Sequence, residues 1–270
     1  MRVTGCSAVV TGASSGIGRE TALLLAGKGA RVRAVARSRS ALEELAGHHG
    51  GIIPHVADLS DEAERAALVD QAGEVDVLVN NAGLGWTGLV EDMPAERVRT
   101  LFEVNVLALV DLTQRLLPGM LTRGRGHVVN MASVASWVAT PPLTVYSATK
   151  FAVQGFSDGL RRETAGRGVV VTTVNPGPIA TRFWAQARGG YRPSQELDDD
   201  DSKPGFPPSL VARAVVRAVR LGAVPGYQTI AVPRALGLAR LGAVPGLRLL
   251  VDAGSLLSRQ PAVWRQVQGR

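Results

Sequence analysis

Short apolar runs recur along the chain at residues 7–11, 31–36, 51–56, 76–80, 127–131 and 169–175. They are rich in Val and Ile and mostly continuous rather than alternating, as expected of parallel strands buried on both faces. Between them, residues 16–27, 41–46, 61–72, 95–117 and 146–165 carry apolar positions at helical spacing. Strand and helix in strict alternation predict an α/β fold, a doubly wound parallel sheet with right-handed crossovers, within one domain.

The pattern changes beyond Pro176. Residues 183–208 are polar and rich in Gly and Pro, with four consecutive acids at Asp198 to Asp201, and predict a mobile loop beside the substrate. Ser209 is a suitable N-cap for a helix running to Arg220, and residues 228–232 predict a further strand. This divides the chain into a body, 1–233, and a Leu/Arg-rich extension, 234–270. The heptapeptide RLGAVPG occurs at 220–226 and again at 240–246, too few copies for a repeat architecture.

Charge follows the same division. The net charge is +7, yet the last 60 residues hold nine arginines against one acid, Asp252, so the preceding body is close to neutral. The tail lacks the interleaved aromatic residues that stack bases, which argues against nucleic acid as a partner. Its Leu and Arg pattern suits peripheral contact with an anionic membrane, a cover over the pocket, or a subunit interface. At 46% apolar and 20% charged residues the chain is globular. Cys6 is the only cysteine, so a disulfide framework and a cysteine zinc site are both excluded within one chain. A reducing, cytoplasmic setting is expected, with no signal peptide at the start and no run of about 20 apolar residues to span a bilayer.

Candidate chemistry begins at the end of the first strand. Thr11-Gly12-Ala13-Ser14-Ser15-Gly16-Ile17-Gly18 opens directly into a helix. Glycines permit a tight turn and let backbone N–H groups reach a pyrophosphate at the positive end of that helix. Gly12, Ser14, Ser15, Gly16, Ile17 and Gly18 are therefore candidate dinucleotide contacts. The second strand ends Val35-Ala36-Arg37-Ser38-Arg39, with no acid to bond a ribose 2′-hydroxyl. Arg37 offers a planar fork suited to a 2′-phosphate, which predicts NADP (as NADPH) over NAD.

Later motifs complete a constellation: Asn80-Asn81-Ala82-Gly83, Ser133 after the fifth strand, and Tyr146-Ser147-Ala148-Thr149-Lys150. With the Gly turn, Asp58-Leu59, Asn105 and Pro176-Gly177, they resemble the short-chain dehydrogenase/reductase family from about residue 7 to residue 181. Tyr146 and Lys150 are four apart and share a helix face. A phenol is a poor base at neutral pH, and a nearby ammonium favours its ionised form, so Tyr146 is the expected acid/base. Ser133 is expected to donate a hydrogen bond to the same substrate oxygen.

The resemblance implies the rest: a single Rossmann-type domain that interconverts a carbonyl and a secondary alcohol by hydride transfer. It gives Lys150 the nicotinamide ribose, and Asn105 a water linking Lys150 to solvent. Asp58 and Leu59 would frame the adenine, and Asn81, Ala82 and Gly83 would run along its ribose, with sheet stabilisation an equal reading of Asn81. Pro176, Gly177, the Ile179 backbone and the Thr181 hydroxyl would meet the carboxamide. His48, His49, His55 and His127 have no metal-ligand spacing and are read as structural, with no metal expected. Residues 134–138, Phe183 and Trp184 are expected to border a fairly apolar small-molecule substrate. A homo-oligomer is the expected assembly. A non-catalytic NADP-sensing protein on the same fold is the alternative, against which the set Asn105, Ser133, Tyr146 and Lys150 argues.

Overall fold

The structure is a computed structural model; it describes residues 1–184, 187, 205–221 and 228–243, the last of these with side chains to residue 238. The remainder of the predicted loop, most of the RLGAVPG copies and the extension beyond residue 243 lie outside the described residues. Seven strands form one parallel sheet: β1 (Ser7–Thr11), β2 (Arg31–Ala36), β3 (Ile52–Val56), β4 (Val77–Asn80), β5 (Gly126–Met131), β6 (Val169–Pro176) and β7 (Thr229–Val232). Their order is β3-β2-β1-β4-β5-β6-β7. The order reverses between β1 and β4, and the crevice at the carboxyl ends of these strands is where such sheets take ligands.

The continuous apolar strands feed two cores. Val10, Val79 and Val129 point to one layer, with α1 (Gly16–Ala26), α2 (Arg39–Gly47) and α7 (Pro208–Leu221). Val9, Leu78 and Val128 point to the other, with α3 (Glu62–Ala72), α5 (Ala108–Thr122) and α6 (Thr144–Glu163). Asp61 caps α3 by accepting the N–H groups of Ala63 and Glu64.

Two helices differ from expectation. The single helix predicted over 95–117 is α4 (Ala95–Phe102), a π-helical turn Glu103–Leu107, and α5. α5 also runs through Pro118. Gln114, whose carbonyl loses its partner there, faces solvent with Pro118, so water can serve the carbonyl. Ser209 does not cap α7, because the helix already starts at Pro208, whose fixed φ suits a first turn.

Two glycines at the reversal are sterically required. Gly12 has φ +67°, and a Cβ there would stand 2.9 Å from the Ala82 Cα. A Cβ on Gly18 would collide with the Gly12 carbonyl oxygen, since α1 packs directly under the turn. Gly18→Ala is expected to cost about 1–3 kcal/mol, the usual penalty of overpacking, as measured by denaturant unfolding.

Candidate active site

The carboxyl ends of β1 to β6 surround one cleft. Gly12, Ser14, Ser15, Gly16, Ile17, Arg37, Asp58, Leu59, Asn81, Ala82, Gly83, Ser133, Tyr146, Lys150, Pro176, Gly177, Ile179 and Thr181 all line it. Gly18 and Asn105, also singled out in the sequence, do not. Gly18 supports the turn from behind, and Asn105 is buried one layer back.

The cleft floor at β1 and β4 is held by one hydroxyl. Thr11 Oγ1 donates to the Val79 carbonyl and accepts the N–H groups of Asn81 and Ala82. Asn81 Nδ2 donates to the carbonyls of Thr11 and Gly12, at 2.9 and 3.3 Å. Asn81 therefore braces the Gly turn while also facing the cleft. At the N-terminus of α1, Ser15 makes no side-chain capping bond and the first turn carries no acid. Its N–H groups and the positive end of the helix are open to an anion, a chemistry that fits a pyrophosphate.

At the next strand ends, Arg37 is exposed on the cleft rim. The Asp58 carboxyl is held below its ordinary range, first by the Ser60 N–H, then by the Ser60 hydroxyl, with Arg37 adding to the effect.

α6 carries Tyr146 and Lys150, and a buried polar chain fixes it against the sheet. Asn80 Nδ2 donates to Asn130 Oδ1 at 2.9 Å, and Asn130 Nδ2 donates to Ser157 Oγ on α6 at 2.9 Å. Such a network, satisfied at each of these links, specifies a single register. Ser133 follows β5 in an extended conformation, and its Oγ accepts the Ala135 N–H. It also hydrogen-bonds Tyr146 and pulls the phenol pKa down, but burial dominates and pushes it up to about 12. Burial likewise pushes Lys150 down to about 8. Lys150 Nζ donates to the Met131 carbonyl at 2.9 Å and stands 5.7 Å from the centre of the Tyr146 ring. Burial of Tyr146 thus outweighs the lowering expected from this ammonium.

Phe183 and Trp184 meet the Tyr146 ring edge-on, at 5.9 and 5.2 Å between centres. Both line the cleft, as the sequence suggested, whereas residues 134–138 do not. Ser136 turns away and donates to Asn175 Oδ1 within the core. Nearby, Thr87 donates to the Ala187 carbonyl, and Phe206 pairs with Pro178 and Ala180.

Asn105 sits in the π turn. Its Oδ1 accepts the Leu84 N–H at 2.7 Å, and its Nδ2 donates to the Leu84 carbonyl and to Thr149 Oγ1. The side chain clamps the loop after β4 to α6. Thr100 and Val104 also line the cleft and went unremarked in the sequence. Their i, i+4 spacing was the one available signal, and it is too common to single them out. His127 is buried, with Nε2 2.9 Å from Thr172 Oγ1, and burial lowers its pKa to about 3, so it stays neutral. Among the described residues no cluster of three His, Cys, Asp or Glu side chains could hold a metal, and no helix is long and apolar enough to cross a membrane.

Fold and cleft together define a doubly wound α/β protein whose polar groups converge at the switch point of its sheet. The short chain dehydrogenase family model matches residues 7–191, and the chain belongs to that family. A relative in Sinorhizobium fredii, an uncharacterized short-chain type dehydrogenase/reductase, is 39% identical over 216 residues, covering 79% of this chain and 85% of that protein. A short chain dehydrogenase/reductase from Burkholderia phymatum, solved in complex with NAD, is similar with a TM-score of 0.77 and 27% identity over 89% of this chain and 94% of the other. A short-chain dehydrogenase from Sphingobium yanoikuyae in complex with NADPH gives 0.75 and 26% identity, over 91% and 94%.

Proposed function

We propose that the protein is an NADP-dependent oxidoreductase that interconverts a carbonyl and a secondary alcohol on a fairly apolar substrate. The observation that carries this reading is that Ser133, Tyr146 and Lys150 share a cleft with the open N-terminus of α1 and with Phe183 and Trp184. A bound NADPH supplies the hydride. The Gly12 to Ile17 turn would hold its pyrophosphate, Asp58 and Leu59 its adenine, and Lys150 the nicotinamide ribose.

Tyr146, held neutral by burial, is a proton donor throughout the neutral range. It protonates the substrate oxygen as that oxygen gains negative charge, while the Ser133 hydroxyl donates a second hydrogen bond to it. In the reverse direction Tyr146 must first give up its own proton, so that its phenolate accepts the alcohol proton, and the Lys150 ammonium beside the ring favours that ionised form. Phe183 and Trp184 keep this exchange away from bulk water and favour lipophilic substrates over sugars or charged acids.

The choice of NADP over NAD rests on Arg37 and on the absence of an acid at the end of β2. The two related structures named above do not distinguish the cofactors, since one holds NAD and the other NADPH. Arg37→Ala is expected to lower kcat/KM for NADPH about 30-fold, the scale of a charge-assisted hydrogen-bond pair, with little change for NADH. Steady-state kinetics with both cofactors test it, and a wild-type chain that prefers NADH overturns the assignment.

A further inference from the structure

The cleft wall formed by Ala57, Asp58, Leu59 and Ser60 is held in place from behind. Asp58 N–H donates to Glu64 Oε2 at 2.6 Å, and the Leu59 carbonyl accepts from Arg65 Nη1 at 2.7 Å. Both side chains come from α3. Arg65 is the unusual one, a cation only 5% exposed that does not line the cleft. The same Nη1 also donates to Glu103 Oε1 at 2.9 Å, and its Nε donates to Asp111 Oδ2 at 2.8 Å.

These partners belong to the other cleft-lining segment. Glu103 opens the π turn and directly precedes Val104, which with Thr100 lines the same cleft as Leu59. Asp111 lies about two turns beyond Glu103, on α5, where it also accepts from Arg115 Nε at 2.8 Å. One planar guanidinium thus bonds three elements: the loop after β3, the π turn and α5. A lysine ammonium is a point charge without that fixed fork, so it cannot reproduce the geometry.

We infer that Arg65 is a positioning residue for the cofactor: it fixes the loop after β3 relative to the π turn, and so sets the shape of the cleft where the adenosine half must fit. The inference rests on reading the cleft as a dinucleotide site. Without Arg65, the Leu59 carbonyl loses its donor, and the two carboxylates, which keep some exposure, turn to water. The fold persists while the wall loses its brace.

The test is a fluorescence titration of NADPH and NADH on wild type, Arg65→Met, Arg65→Lys and Glu103→Gln, with kcat measured at saturating cofactor. Arg65→Met is expected to raise the Kd of the preferred cofactor about tenfold while kcat stays within about twofold. Arg65→Lys falls between it and wild type. A merely structural role lowers kcat in step with the folded fraction and leaves the Kd of the folded protein unchanged, and that pattern overturns the inference. Should Arg65→Met not fold, Glu103→Gln decides: a Kd raised about threefold at constant kcat supports the inference, and an unchanged Kd overturns it. A wild-type chain that binds neither nucleotide overturns the cleft's reading along with it, whereas normal binding by both wild type and the variants overturns this inference alone.

Discussion

Tyr146→Phe is expected to lower kcat by about 10³-fold, within the range that general acid–base groups contribute, and to leave the Kd for NADPH within about twofold. The variant removes only the phenolic oxygen. The ring keeps its edge contacts with Phe183 and Trp184, so the cleft retains its shape. A buried hydroxyl that bonds Ser133 is also lost, and Ser133 still has the Ala135 N–H as a partner. Single-turnover reduction of a lipophilic ketone, followed by NADPH absorbance, reads the effect without interference from product release. Turnover near wild type would remove Tyr146 from the chemistry.

The second large effect carries opposite signs for activity and stability. Lys150→Met is expected to reduce turnover at least about 100-fold and yet raise the melting temperature of the cofactor-free protein. Burial lowers the folded pKa of Lys150 from 10.5 to about 8. Between these values the unfolded chain binds more protons than the folded one, so stability rises with pH across that window, and the full deficit is present below pH 8. At 1.36 kcal/mol per pKa unit the deficit is about 3 kcal/mol. The variant loses the bond to the Met131 carbonyl, worth about 1 kcal/mol. A net gain of about 2 kcal/mol, or about 5 °C in Tm, follows at pH 7. The advantage shrinks as pH rises from 8 and is gone by about 10.5. Calorimetry at pH 7 and pH 10 checks both the sign and the closing window, and a variant less stable than wild type at pH 7 refutes the account.

Much of this architecture is legible in the residues. The strands are continuous apolar runs because they are buried on both faces, and that property is local enough to read directly. Six of the strands and the Gly turn follow from it, and the seventh strand from a weaker run at Gln228 to Val232. The cleft is legible for a related reason, since each predicted contact stands at a strand end and the sheet brings strand ends together. What escapes is set by partners far apart in sequence. The π turn at Glu103–Leu107 places Asn105 against Leu84 and Thr149, and apolar spacing over 95–117 cannot separate a π turn from an α-helix. Arg65 reads as an ordinary exposed arginine on α3, and only its bonds to Glu103 and Asp111, 38 and 46 residues away, bury it. The pKa of Tyr146 escapes as well, because it is set by burial, and Phe183 and Trp184, which pack on the ring, are remote in sequence.

The all-parallel order of the sheet has a consequence for how the protein comes to exist as an active molecule. No two neighbouring strands are joined by a tight hairpin, and every pairing waits for a crossover to be laid down. The groups that meet in the cleft are drawn from residue 12 to residue 184. No early fragment of the chain therefore owns the whole cleft, which is complete only when β1 through β6 are all in register. On a ribosome it arrives late. A ligand captured at that point stabilises the completed sheet as a whole, because it recognises a surface that only the fully assembled chain presents.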